Sequence, residues 1–243
     1  MIDLHSHVLF GVDDGPKTAA ESLDLLRGAA QDGTRRIVAT PHTCNQAYMN
    51  SPAKVRQAVA ELNRLAGDSG IDIEVVAGSE VHFFENVLGA VRADEVMSFA
   101  DMRKYVLVEF PTRYVPQSAR AVFFELLIAG ITPVIAHPER NHEFLENQEL
   151  LSSLVDSGAR VQLTADSILG AWGRAPKKAM IEFLKGDLGH FIASDGHHPK
   201  LRPARMSEAV KEVARVIGKS RAEQMVEANP EAVLAGVPMP PAA

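Results

Sequence analysis

The segment Met1-Ile-Asp-Leu-His-Ser-His7 decides how the rest of the chain is read. A short β-type run, residues 2–4, leads into two histidines spaced i and i+2, so both imidazoles project from one side of an extended backbone. Working outward, the same arrangement returns. Residues 36–40 run into His42, 73–77 into Glu80, 105–108 into Glu109, 132–136 into His137, and 191–193 into Asp195 and His197. Residues 160–163 form a further run with no metal-capable side chain at its end.

Between these runs lie amphipathic stretches at residues 18–31, 52–67, 118–129, 147–156, 176–185, 204–217 and 221–228. Leu23, Leu26 and Ala30 illustrate the three- and four-residue spacing of a helix face. Gly33, Gly70, Gly130, Gly158 and Gly186 fall where helices end. Alternating strands and helices with short links predict a parallel sheet with helical crossovers. Seven strands predict a closed or nearly closed TIM-like α/β barrel, and such folds carry their sites beyond the carboxyl ends of the strands. Every metal-capable residue above falls at that end. A single domain is expected over residues 1–236, followed by a frayed proline-rich tail at 237–243.

The formal net charge of -6 and pI near 5.8 argue against nucleic acid as a partner, which requires a basic footprint. No uncharged apolar stretch reaches the ~20 residues of a membrane span, so no membrane insertion is expected. With no secretory signal visible, a cytoplasmic location is the default. Cys44 is the sole cysteine, and Asn50 stands six positions later where a cysteine phosphatase needs arginine. The stretch Gly170-Ala-Trp-Gly-Arg-Ala-Pro-Lys177 lacks the ending of a nucleotide phosphate loop.

Imidazoles with carboxylates and no thiolates suit catalytic zinc, manganese or iron rather than a structural zinc site. Eight or more donors oversupply one ion; two or three ions sharing a bridging carboxylate fit better. Asp13-Asp14-Gly15 reads either as a turn or as a source of one more ligand, and its distance from His7 favours the ligand.

Asp3-Leu-His-Ser-His7, Gly11-Val-Asp-Asp-Gly15, Ala39-Thr-Pro-His42, Gly78-Ser-Glu80, Glu109-Phe-Pro111, Ala136-His-Pro-Glu-Arg-Asn141 and Ile192-Ala-Ser-Asp-Gly-His197 resemble the polymerase-and-histidinol-phosphatase superfamily. Within it, the chain is similar to bacterial protein-tyrosine phosphatases of capsule and exopolysaccharide biosynthesis, the CpsB/CapC family. The likeness spans residues 1–236. It implies a distorted (β/α)7 barrel holding three divalent ions, manganese foremost, with iron, zinc or magnesium as alternatives. His5, His7, Glu80 and Asp195 would hold the first ion. Glu80 would bridge to a second, completed by Glu109 and His137. Asp14 (or Asp13), His42 and His197 would hold the third, while Arg140 and Arg202 would clamp phosphate through their planar guanidinium forks. Thr43, Asp166, Gly196 and His198 depart from the family's usual residues at the rim.

The implied reaction is hydrolysis of phosphotyrosine by a metal-activated hydroxide, on a phosphorylated protein such as the tail of a bacterial tyrosine kinase. Rival readings are a histidinol-phosphate or other small-molecule phosphatase, an amidohydrolase-like hydrolase, and a non-catalytic metal-binding module. His190, at the start of the last strand, reads as structural. His82 shares the parity of Glu80; His142 and His198 fall on loops. Tyr114, Phe83 and Phe84 read as packing residues that could also meet an aromatic substrate.

Overall fold

The computed structural model describes residues 1–243. Nine strand segments occur: β1 Ile2–Ser6, β2 Arg36–Ala39, β3 His42–Thr43, β4 Glu74–Ala77, β5 Glu80–His82, β6 Tyr105–Glu109, β7 Thr132–Ala136, β8 Arg160–Thr164 and β9 Phe191–Ala193. All pair in parallel, in the orders β1-β2-β4 and β3-β5-β6-β7-β8-β9. β3 resumes β2 just beyond Pro41, and β5 resumes β4 beyond Gly78 and Ser79, so nine segments make seven staves. The seam between β9 and β1 is closed by the Ser6–Gly196 bridge and by Asp195 N–H donating to His5 O at 2.8 Å. The result is the expected distorted seven-staved barrel.

The two interruptions, absent from the sequence reading, have local causes. Pro41 has no N–H to give a ladder. At Gly78 a Cβ would lie 2.8 Å from Val38 Cγ1, so the neighbouring stave presses on the backbone there. β1 also slips register between Asp3 and Ser6, where Thr40 Oγ1 accepts from Ser6 N–H at 3.0 Å.

Ile2, Leu4, Val38, Leu107, Val134, Ala136 and Phe191 form one buried cluster drawn from five staves, the apolar floor of the barrel interior. Val233 and Leu234 of the helix Ala228–Ala235 close that cluster from below. The outward-facing Ile37, Ala39 and Val75 pack against Leu25, Leu26, Val55 and Leu62 of the helices Ala19–Gln31 and Pro52–Asp68. Burying one such aliphatic side chain is worth about 1.5–3 kcal/mol. The floor positions the site: above it, the stave ends have no apolar partners left and carry polar groups.

Thr18 and Asn147 prove to be N-caps, one residue outside the helices expected from 18 and 147. The stretch expected from 204 starts at Ser207, where Asp32 accepts from the Met206 and Ser207 N–H groups. The helix expected over 221–228 is Lys219–Gln224, and a separate helix follows at Ala228–Ala235. The tail is tied rather than frayed: Tyr105 OH donates to Val237 O at 2.8 Å, and Gln224 bonds Pro241 and Ala243.

His190 is structural, as read. Its Nδ1 accepts from Val161 N–H at 3.2 Å, and burial beside Arg160 brings its pKa down to about 4. The unfolded ring protonates near pH ~6.5. This contribution to stability is therefore complete above that pH and is lost as pH falls towards 4, by about 2–3 kcal/mol. His190→Asn keeps an acceptor and does not titrate. Urea unfolding at pH 7 and pH 5 should show the wild type losing more stability than the variant, and equal losses would remove this role.

Candidate metal centre

Four donor atoms meet at the mouth of the barrel. His5 Nε2 and His7 Nε2 are 3.3 Å apart, and each lies 3.4 Å from both Glu80 Oε2 and Asp195 Oδ1. All four residues are buried. Ligands around a four-coordinate ion with bonds of ~2.1 Å are separated by ~3.4 Å, so this spacing fits one divalent cation. The staves hold the rings in place through their other nitrogens. His5 Nδ1 meets Gln162 Oε1 at 2.8 Å, His7 Nδ1 meets Asp13 Oδ2 at 2.7 Å, and His197 Nδ1 meets Asp195 O at 2.8 Å. Each contact fixes a tautomer and turns Nε2 inward.

Asp13 and Asp14 thereby separate. Asp13 stands behind His7 and also accepts from the His42 and Gly15 N–H groups. Asp14 Oδ1 faces the mouth, 3.4 Å from His197 Nε2 and 3.6 Å from His42 Nε2. The turn needs Gly15, because a Cβ there would lie 2.4 Å from His7 O. Asp13→Ala should reduce metal affinity and kcat/KM by about 10–100-fold through a loosened His7 ring. Elemental analysis with kinetics checks this, and wild-type metal content in the variant would contradict it.

Glu80 joins the donor groups. Its Oε1 lies 2.8 Å from His137 Nε2, and its Oε2 lies 3.0 Å from His42 Nδ1. Glu109 borders the same space, 3.8 Å from His42 Nδ1 and 3.9 Å from His137 Nε2. A further group consists of His7, Asp14, His42 and His197. The structure thus gathers all nine of the residues expected to ligate. It places His42 between two groups, with Nδ1 towards Glu80 and Glu109 and Nε2 towards Asp14. Glu80 Oε2 and His42 Nδ1 are buried and close, yet neither makes a hydrogen bond. Two orphaned donors aimed at one point are what a shared cation would satisfy.

Burial opposes the charges of Glu80 and Asp195. Even so, His5 beside Glu80, and Arg140 with His5 beside Asp195, hold both carboxyls well below the usual range. Burial likewise opposes protonation of His5, His7 and His42, and their carboxylate neighbours raise all three. A bound cation would displace those protons. His137 and Asp195 also adopt left-handed backbone, with φ of 33° and 53°. Such conformations cost non-glycine residues about 1–3 kcal/mol and concentrate at functional sites.

Asp195 presents its second oxygen to the two expected arginines. Arg140 Nη2 is 2.7 Å and Arg202 Nη2 2.8 Å from Oδ2. Both arginines and seven of the nine donor residues (all but His5 and His7) border one cavity of about 510 Å³, whose lining also includes Phe110, Phe144, Leu145 and Trp172. His142 lines it too, whereas His198 Nδ1 accepts from the Lys200 and Leu201 N–H groups in a turn. His82 Nδ1 reaches within 3.4 Å of Glu109 Oε2. Phe83 packs on Phe110 at 5.2 Å in the core. Three contributions were not foreseen from sequence: Gln162, the supporting role of Asp13, and Trp172.

A closed α/β barrel whose C-terminal rim gathers imidazoles, carboxylates and a pair of arginines defines a metal-binding barrel of hydrolase type. Residues 1–235 match the family model described as "Capsular polysaccharide synthesis, CpsB/CapC", and the chain belongs to that family. It is 38% identical over 234 residues to "Tyrosine-protein phosphatase YwqE" of Bacillus subtilis (strain 168), covering 96% of this chain and 91% of that one. Among solved structures it superposes with a TM-score of 0.95 and 36% identity, over 98% of this chain and 96% of the other. That structure is one of a pair described as YwqE from Bacillus subtilis and CpsB from Streptococcus pneumoniae, "unique metal-dependent tyrosine phosphatases". A β-aspartyl dipeptidase from Fervidobacterium islandicum AW-1 shares the barrel alone, with a TM-score of 0.56 and 14% identity over 96% of this chain and 72% of the other.

Proposed function

We propose that this chain is a metal-dependent protein-tyrosine phosphatase that hydrolyses phosphotyrosine in a bacterial tyrosine kinase within the cytoplasm. The carrying observation is the double use of Asp195, whose Oδ1 belongs to the imidazole–carboxylate group while its Oδ2 holds two guanidiniums. Phosphate-binding cations thus abut a metal-binding cage. Relatives named tyrosine-protein phosphatases, matched along nearly the whole chain, support the same reading. No helix is long and apolar enough to cross a membrane.

His5, His7, Glu80 and Asp195 would hold one divalent ion; Glu80, Glu109 and His137 would hold a second; Asp14, His42 and His197 would hold a third. The resemblance to the family makes manganese the first choice, and nitrogen and oxygen donors of this kind also accept iron, zinc or magnesium. Bound divalent ions lower the pKa of water towards neutrality and offset charge on a phosphoryl oxygen.

The protein's own groups do the rest. Arg140 and Arg202 receive phosphoryl oxygens on their N–H forks and fix the ester's orientation. Phe110, Phe144 and Leu145 in the cavity lining offer apolar surface to the aryl ring. Asp14 Oδ1 lies 3.4 Å from His197 Nε2; His197, with the charges of His7 and His42, lowers its pKa, so it stays ionised and is unsuited to donating a proton. A phenol of pKa ~10 departs with less need of such a donor than an alkyl alcohol.

The test compares phosphate release from a phosphotyrosine peptide and from histidinol phosphate, using manganese-loaded and chelator-stripped protein. Higher kcat/KM on the peptide, abolished by stripping, is expected. Preference for histidinol phosphate would move the assignment to a small-molecule phosphatase. Full turnover by the stripped protein would end the metal reading.

A further inference from the structure

Trp172 lies in a turn bounded by two glycines in left-handed backbone, Gly170 at φ 91° and Gly173 at φ 95°. The residue is 41% exposed, yet both clamp guanidiniums pack over its ring. Arg140 Cζ is 4.5 Å and Arg202 Cζ 5.2 Å from the ring centroid. Two like charges converge here on a single carboxylate oxygen, at 2.7 and 2.8 Å. The carboxylate balances them from one direction and the π face of the indole from another.

A second connection keeps ring and arginine in register. Glu139, buried next to Arg140 in sequence, accepts from Thr164 N–H at 2.9 Å and from Ser167 Oγ at 2.8 Å. It thereby stitches the turn Pro138–Arg140 to the helix Ala165–Leu169, which leads directly into the Trp172 turn. When phosphoryl oxygens take up the N–H groups now spent on Asp195, the stacking contacts remain available. They use the faces of the guanidiniums rather than their edges.

We infer that Trp172 is a positioning residue that holds Arg140 and Arg202 side by side for the phosphoryl group. The inference rests on the phosphatase reading above and adds a residue to it. The indole also faces the cavity, so a clamp role must be separated from a role as a wall for the substrate's ring.

Inorganic phosphate has no ring, which makes it the discriminating probe. Its Ki as a competitive inhibitor, and KM for a phosphotyrosine peptide, are measured on manganese-loaded wild type, Trp172→Leu and Trp172→Phe. Loss of the cation–π contacts should raise Ki in the leucine variant by about five- to thirtyfold. KM should rise in parallel, phenylalanine should restore most of the loss, and thermal unfolding should be unchanged. An unchanged Ki with a raised KM would overturn the clamp role in favour of a substrate wall. Equal losses in the leucine and phenylalanine variants would reduce Trp172 to packing. Trp172→Gln supplies a polar non-aromatic substitute if the leucine variant aggregates. Inactive wild type would sink the phosphatase reading instead, while calorimetric phosphate binding to the same three proteins would still report on the clamp.

Discussion

Glu80→Gln is expected to lower kcat/KM by at least about a thousandfold and to strip metal from the protein. The carboxylate is fully buried, and its two oxygens meet four imidazoles: His5 and His7 at 3.4 Å, His42 at 3.0 Å and His137 at 2.8 Å. An amide of the same shape carries no charge and turns N–H groups towards some of those nitrogens. Removing one partner from a buried charged network typically costs about 3–5 kcal/mol, so the stripped variant should also unfold more readily. Glu109→Gln gives the internal comparison. Its side chain is 22% exposed and stands 3.8 Å from His42 and 3.9 Å from His137, so a smaller loss is expected. Elemental analysis, thermal unfolding and kinetics on the same preparations decide the matter. Full metal content in Glu80→Gln would show that the ions are held elsewhere.

Arg140→Ala should cost about 10²–10³-fold in kcat/KM, the usual effect of deleting one group that stabilises developing charge in a desolvated site. Its side chain is 14% exposed, against 31% for Arg202, and both grip the same Asp195 oxygen. The deeper arginine is the less screened of the two, so Arg202→Ala should lose less. Arg140→Lys separates charge from shape: it keeps the cation but not the planar fork, so recovery should be incomplete. The Ki of inorganic phosphate is the measurement to follow. An unaltered Ki in Arg140→Ala would remove this residue from the clamp and leave Arg202 to bind the anion alone.

Much of this architecture is legible before any coordinates, because barrel chemistry is written at a repeating position. Every β-type run but 160–163 ends in a donor, and the fold brings those ends to one rim. His5, His7, Glu80, His137 and Asp195 were legible for that reason. What was not legible depends on contacts distant in sequence. Gln162 is a neutral amide, and only the approach of β8 to β1 puts it against His5. Trp172 acquires its role from two arginines on other segments. Sequence alone allowed either Asp13 or Asp14 as a donor; the close packing of the turn at Gly15 on the His7 carbonyl accompanies their division into support and donor. The helices Val87–Arg92, His142–Glu146 and Ala165–Leu169 are too short to display a period.

The backbone states of His137 and Asp195 set a conflict between durability and chemistry. Glycine and asparagine tolerate a left-handed residue best, and neither supplies the imidazole or the negative oxygen required there. A variant chosen solely for heat resistance should therefore drift towards glycine or asparagine at His137 and become a sturdier, idle barrel, whereas Asp195 is retained by the two arginines it pairs. Keeping a working rim means that the rest of the fold must carry the burden of two ill-suited residues in every generation.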